Sequence, residues 1–307
     1  MRAGADRLRP GWGSLPASLR ARIADILGGG IVSDSPAQGG FSAGYAGIVR
    51  SAHADVFVKA IPATGHSDSR TFIRREIHAL QAIPAALRPR MLASVDDEES
   101  TALVLAVVPG IHPGEPWSEA QLHAIAAEIA HVAATPAPEV IFPAQRSMLP
   151  YYARWRAVFE DPSLTASLPH GLPTQMPQLL RLEQALPDAV TGSFLAHGDL
   201  RADNILIEDE RARFIDWPHA RRGAAWLDGP LLLPSVEASG GPRCADAWEI
   251  LRAHGAPDAA SMLPVISGFA SFLWWGQAQP EIPELPGLRA FQRAQALPLL
   301  RWLAELL

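Results

Sequence analysis

Cysteine is almost absent from this chain. Cys244 stands alone among 307 residues, which excludes an intramolecular disulfide and any cysteine-rich metal site. A reducing compartment suits such a chain, and a cytoplasmic location is the expectation. A surplus of positive charge is also missing: 26 Lys and Arg stand against 32 Asp and Glu, a formal net charge of −6. Nucleic-acid binders more often carry a basic surface, so neither DNA nor RNA is an expected partner. The stretch from Met1 to Gly13 has basic residues but no apolar run behind them, so no signal peptide is read. No run is read as apolar enough, over the roughly 18 residues required, to predict a membrane-spanning helix, and no membrane partner is expected. Internal repeats and low-complexity tracts are lacking too.

What is present is an ordinary globular composition, 48% hydrophobic and 19% charged, in a chain long enough for two lobes. Residues 15–28 have the spacing of an amphipathic helix, stopped by Gly28-Gly29-Gly30. Strand character follows over 38–51 and again over Val56–Ala60. Residues 69–82 repeat Phe72, Ile73, Ile77 and Leu80 at helical spacing. Residues 91–95 and 101–107 read as a hairpin joined at Asp96–Glu99. Pro109-Gly110 and the proline-rich stretch to Pro116 form a connector. Helices are expected over 118–134, 147–160 and 175–190, then a strand-loop-strand unit at 194–216, and mostly helix from about 242. A small β-rich lobe, residues 1–108, therefore precedes a larger helical lobe, residues 109–307.

One segment concentrates the chemistry. His197-Gly198-Asp199-Leu200-Arg201-Ala202-Asp203-Asn204-Ile205-Leu206 is followed, twelve residues past Asn204, by Asp216 within Phe214-Ile215-Asp216-Trp217. Phosphoryl transfer asks little covalent help of a protein. It needs a carboxylate aimed at the acceptor hydroxyl, and separate hard oxygen ligands that hold Mg²⁺ against the phosphates. Asp199 is placed for the first task, and Asn204 with Asp216 for the second. The apolar runs on either side of residues 208–212 can pair as strands, bringing Asn204 and Asp216 to one end of a hairpin. A lone His-Gly-Asp would be a polar turn; the joint spacing of the three residues favours the chemical reading.

This segment resembles the catalytic and metal-binding loops of the aminoglycoside phosphotransferase and choline-kinase-like family, relatives of the protein kinases. The resemblance implies an α+β, two-lobed protein-kinase-like fold, with ATP and Mg²⁺ in the cleft and a small hydroxylated molecule as acceptor. It implies Asp199 as base or orienting group and Asn204 and Asp216 as magnesium ligands. Many family members carry His where this chain has Arg201. Arg201 either touches the γ-phosphate as charge develops or pairs with Asp203. Lys59, in Val56–Ala60, resembles the lysine that reaches the α- and β-phosphates, and Glu76, seventeen residues on, is its expected partner. Gly39, Gly40, Phe41 and Ser42 occupy the place of a loop folded over the triphosphate, although they match neither G-x-G-x-x-G nor the Walker pattern; a plain hairpin turn is the alternative. Adenine is expected near Leu105 to Val108. Asp228 is a candidate brace for the catalytic loop, His197 a structural residue, and His112, His123 and His131 ordinary polar positions.

Three functions fit: an antibiotic kinase, a metabolic kinase for a small alcohol or sugar, and a non-catalytic nucleotide-binding regulator. The last suits the chain least, because Lys59, Glu76, Asp199, Asn204 and Asp216 are all of the required type. If Asp228, Glu237, Asp246, Glu249, Asp258, Glu281 and Glu284 face the cleft, they favour a cationic acceptor.

Overall fold

The computed structural model describes residues 10–37, 43–114, 116–169 and 171–307. The first lobe is an antiparallel sheet of β1 (Ile31–Pro36), β2 (Tyr45–Ser51), β3 (Asp55–Pro62), β4 (Met91–Asp96) and β5 (Ser100–Ala106), in the spatial order β1-β2-β3-β5-β4. Two helices, α1 (Ala17–Ile26) and α2 (Ser67–Ala82), cover its faces. The two-residue period of a strand sorts the side chains between them. Along β3, Val56, Val58 and Ala60 join the core of Leu19 and Ile23 from α1, whereas Ile61 joins that of Ile73, Ile77 and Leu80 from α2. Lys59 shares the parity of Ile61 and so turns toward α2. Glu76 falls on the same stripe as Ile73, Ile77 and Leu80, and is buried with them.

The strand β1 was not expected, because Ile-Val-Ser-Asp-Ser-Pro has little alternation to read. Pairing with β2, in the register Asp34↔Val49, supplies the order that its own sequence does not.

The second lobe contains α3 (Glu119–Ala134), α4 (Ala144–Tyr152), α5 (Trp155–Glu160), α6 (Pro162–Ala166) and α7 (Met176–Ala189). Four short strands follow: β6 (Phe194–Ala196), β7 (Ile205–Glu208), β8 (Arg211–Phe214) and β9 (Arg221–Gly223). The chain closes with α8 (Asp228–Ala238), α9 (Cys244–Ala253), α10 (Leu263–Gly276) and α11 (Leu288–Leu306). α3 starts on a capping box, in which the Ser118 hydroxyl accepts from the Gln121 amide and the Gln121 side chain accepts from the Ser118 amide.

The single helix expected over 147–160 is two helices. Between them the Arg154 amide donates to Ser271 Oγ at 3.2 Å and the Trp155 amide to Glu183 Oε2 at 2.6 Å, so side chains of α10 and α7 take amides that a continuous helix would use itself. α8 begins ahead of the helical region expected from about 242, its signal weakened by Pro230 and Pro234. A further correction concerns apolar runs. Ala259–Gly276 carries no charged residue and, with a mean hydropathy of 1.3, has the length and composition to cross a membrane. In the fold 67% of it is buried, with α10 packed against α7 and α11, which is the setting of a core helix.

Candidate active site

Lys59 is the only lysine among the 26 Lys and Arg residues of the chain, and Asn204 is its only asparagine. Both lie at the centre of one constellation. The Lys59 ammonium is 2.6 Å from Glu76 Oε2 and 2.7 Å from Asp216 Oδ1, so one side chain joins the sheet, α2 and the loop after β8. Glu76 is 1% exposed. Its second oxygen faces the Trp217 amide at 3.4 Å. Burial is the largest influence on Glu76 and raises its pKa, with Lys59 pulling the other way. Burial alone would lower Lys59, but Asp216 and Glu76 together outweigh it and leave the ammonium above its ordinary value. For Asp216 burial acts upward, and Lys59, Arg201 and His197 overcome it, bringing the carboxyl to about 2.

The loop from His197 to Asn204 is held largely through its backbone. Asp228, 2% exposed at the start of α8, accepts the His197 amide at 2.7 Å and the Gly198 amide at 2.8 Å. The role proposed for it in the sequence, a brace of this loop, matches that geometry. His197 Nε2 lies 2.9 Å from the Ile215 carbonyl, which can only accept, so Nε2 carries the proton and Nδ1 faces the Asp199 amide at 3.4 Å. Gly198 has φ +82, and a Cβ there would lie 2.1 Å from the His219 carbonyl oxygen.

β7 and β8 pair with Ile205 opposite Phe214 around a two-residue turn, Asp209-Glu210, with both φ values positive. The Ile215 amide donates to the Asn204 carbonyl at 3.0 Å, which sets Asn204 beside the residue before Asp216. Asp216 itself has φ +69, an uncommon conformation for a non-glycine residue. The connector is fastened to this hairpin: Ile111 and Ile207 exchange backbone hydrogen bonds of 3.0 and 2.8 Å, and His112 Nδ1 lies 2.9 Å from the Ile205 carbonyl. The remaining expected polar histidines sit away from the loop, His123 bonded to His254 at 3.0 Å and His131 near Glu128 at 3.6 Å.

The donor set fits a hard cation. Asn204 Nδ2 donates to the Asp199 carbonyl at 2.8 Å, which orients the amide and leaves Oδ1 as its accepting end. Asp216 adds a carboxylate that already draws an ammonium ion. Among the described residues no group of three His, Cys, Asp or Glu side chains forms a metal site, and the oxygens that Asn204 and Asp216 offer are of the hard type that Mg²⁺ takes.

Arg201 makes the carboxylate pairing. Its Nε and Nη2 each lie 3.0 Å from the Asp203 carboxylate, Nη1 is 3.4 Å from Asp199 Oδ2, and the guanidinium covers the Phe291 ring at 5.3 Å. Phe291, on α11, was not singled out in the sequence. Gly39, Gly40, Phe41 and Ser42 lie outside the described residues; beside them the Ala43 amide donates to Ser69 Oγ at 3.1 Å, at the start of α2. The acidic residues raised as a possible cleft lining have these engagements. Asp228 holds the loop, Glu237 pairs with Arg301 and accepts the Cys244 amide, Glu249 pairs with Arg252, and Asp258 caps a short helical turn. Asp246, Glu281 and Glu284 are exposed.

Comparison with known proteins bears on the fold and the family. A choline kinase from Streptococcus pneumoniae superposes with a TM-score of 0.60 at 14% identity, covering 93% of this chain and 98% of its own. A spectinomycin phosphotransferase in complex with ADP and spectinomycin gives 0.58 at 12% identity, with 94% and 98% covered. An aminoglycoside phosphotransferase from Streptomyces rimosus, in complex with ADP and streptomycin, gives 0.55 at 22% identity, with 84% and 99% covered. Comparison with curated proteins finds no match. The fold is that of the protein kinases, and the protein is a small-molecule phosphotransferase. A family model described as the phosphotransferase enzyme family (APH) matches residues 38–264, and the chain belongs to that family.

The Gly198 geometry yields a direct test. Gly198→Ala places a methyl group against the His219 carbonyl in a left-handed conformation, at a cost of at least about 1–3 kcal/mol. Chemical denaturation is expected to show that loss, together with reduced turnover; unchanged stability would mean that the loop does not need its glycine.

Proposed function

We propose that this protein transfers the γ-phosphate of ATP to a hydroxyl group of a small molecule, with Asp199 as the carboxylate that orients that hydroxyl and takes its proton. The observation that carries the reading is the meeting of Lys59, Glu76 and Asp216 beside a loop that presents Asp199. The bond formed joins the acceptor oxygen to the γ-phosphorus; the bond broken is that between the γ-phosphorus and the β–γ bridging oxygen, and ADP leaves with the electron pair. Lys59, steadied by Glu76, binds the α- and β-phosphates. Asn204 and Asp216 would hold Mg²⁺, which when bound offsets negative charge on the phosphates. Adenine lies along Leu105 to Val108, and Arg201 steadies Asp199 while paired with Asp203. In this division residues 1–108 grip the nucleotide and residues 109–307 carry the loop and the acceptor.

The acceptor is a small hydroxylated compound, in line with the choline, spectinomycin and streptomycin named for the solved relatives. An antibiotic and a metabolic amino alcohol both suit this chemistry. A role in resistance and a role in metabolism then differ only in the acceptor. A cationic acceptor is the expectation weighed first, and a panel of cationic, neutral and anionic alcohols tests it.

Three outcomes test the proposal. Asp199→Asn is expected to lower turnover by roughly 10²–10⁴-fold while MgADP affinity, read by calorimetry, stays within a few-fold; turnover near wild type would remove Asp199 from its role. Asp216→Ala is expected to lose Mg²⁺-dependent nucleotide binding and activity together, and unchanged MgADP affinity would exclude it as a ligand. In an ADP-release assay over aminoglycosides, amino alcohols, neutral sugars and anionic alcohols, at least one hydroxylated compound is expected to raise the rate above that with water. A flat response across the panel would count against a small-molecule acceptor of these classes.

A further inference from the structure

Behind the loop that presents Asp199 lies a charged side chain with no task so far. Arg221, on β9, is 6% exposed. Its Nε and Nη1 have no hydrogen-bond partner among the described residues. A buried guanidinium cannot shed its proton, and a buried charge left short of acceptors destabilises the fold, so its presence calls for a function. Arg154 and Arg222 also have an unpartnered Nε, but both are only half-buried, and Arg154 lies over the Trp275 ring at 4.5 Å.

The surroundings of Arg221 give it one. A Cβ built on Gly198 would lie 3.0 Å from Arg221 Nε and 3.1 Å from its Cδ, so the arginine side chain packs directly on the residue before Asp199. On its other side the guanidinium faces the Tyr152 ring at 5.9 Å. That ring packs beside both Phe269 and Phe272 of α10, at 5.5 and 5.4 Å, and the two phenyl rings lie 6.2 Å from each other. A chain of contacts therefore runs from α10 through Tyr152 and Arg221 to the Gly198 turn. Asp228 grips the same turn through its amides, and Arg221 is among the charges that favour the ionised form of this buried carboxylate. The neighbouring His219 does not share that duty: burial first, and Arg221 in addition, bring it down to about 4, so it is neutral near pH 7.

We propose that Arg221 is a positioning residue for phosphoryl transfer, one that fixes the height of Asp199 by backing the Gly198 turn that Asp228 grips. The inference rests on the reading of Asp199 as the catalytic carboxylate. Asp228 pulls the turn from its amide side, and Arg221 stops it from behind. Without Arg221 only the His219 carbonyl backs the turn, and Asp199 loses its set height while the nucleotide side, built on Lys59 and Asp216, stays as it is.

Arg221→Met, Arg221→Lys and Asp199→Asn separate the possibilities. Turnover is followed by ADP release with the best acceptor of the panel above, or with water where none responds, alongside MgADP calorimetry and thermal melts. Arg221→Met is expected to lower kcat by at least tenfold with KM for ATP and MgADP affinity within about twofold, and Arg221→Lys to recover part of the loss. A folded Arg221→Met with kcat within twofold of wild type would overturn the inference, as would a parallel loss of kcat and MgADP affinity. If Arg221→Met does not fold, Arg221→Lys decides alone: a fall in kcat at constant KM supports the inference and an unchanged kcat overturns it. Full turnover in Asp199→Asn would instead remove the reading on which the inference stands; loss there with wild-type rates at Arg221→Met would remove the inference only.

Discussion

A single ammonium group shared by two carboxylates sets the geometry of this cleft. Lys59 comes from the central strand of the sheet, Glu76 from the helix covering that sheet, and Asp216 from the loop after the β7–β8 hairpin. Both lobes must be in register for all three to meet. The pairing is also energetically exacting, since Glu76 is almost fully buried and would be left as an uncompensated buried charge without Lys59, a loss of about 3–5 kcal/mol in comparable cases. The backbone bonds between Ile111 and Ile207 act in the same direction by tying the connector to the hairpin that ends beside Asp216. The cleft is thus fixed from within by an ion pair network and at its back by two amide–carbonyl bonds.

On the far side of the cleft the constraint is of another kind. The loop from His197 to Asn204 is shaped by acceptors for its amides and by the space left beside a glycine. This division suits a phosphotransferase. On the proposed reading the nucleotide side handles high charge through side-chain ions, while the acceptor side holds one carboxylate at a set height, which backbone contacts do with little freedom.

The two halves were not equally legible. Asp199, Asn204 and Asp216 lie close together in the chain, so their spacing could be read directly, and the hairpin between them has strong β character. Lys59 and Glu76 could be paired through the family resemblance, with Glu76 the one carboxylate in the helical stretch 70–82; the strand and helix periods then show why they meet. What escaped depends on contacts between distant segments. The acceptors of the His197 and Gly198 amides are invisible in the loop's own sequence, because every residue but proline offers the same N–H. The stop between α4 and α5 depends on Ser271 and Glu183, more than twenty residues away. The strand character of β1 depends on β2. Phe291 and Arg221 carry no local signal, although the isolation of one lysine and one asparagine within the composition was a clue available from the start.

That isolation has a chemical consequence. A protein with 25 arginines and one lysine offers reagents that seek a lysine side-chain amine a single address, and that address is the anchor between the lobes. Acylation at Lys59 would erase the charge that Glu76 and Asp216 share, and it competes with the ion pairs that join the lobes.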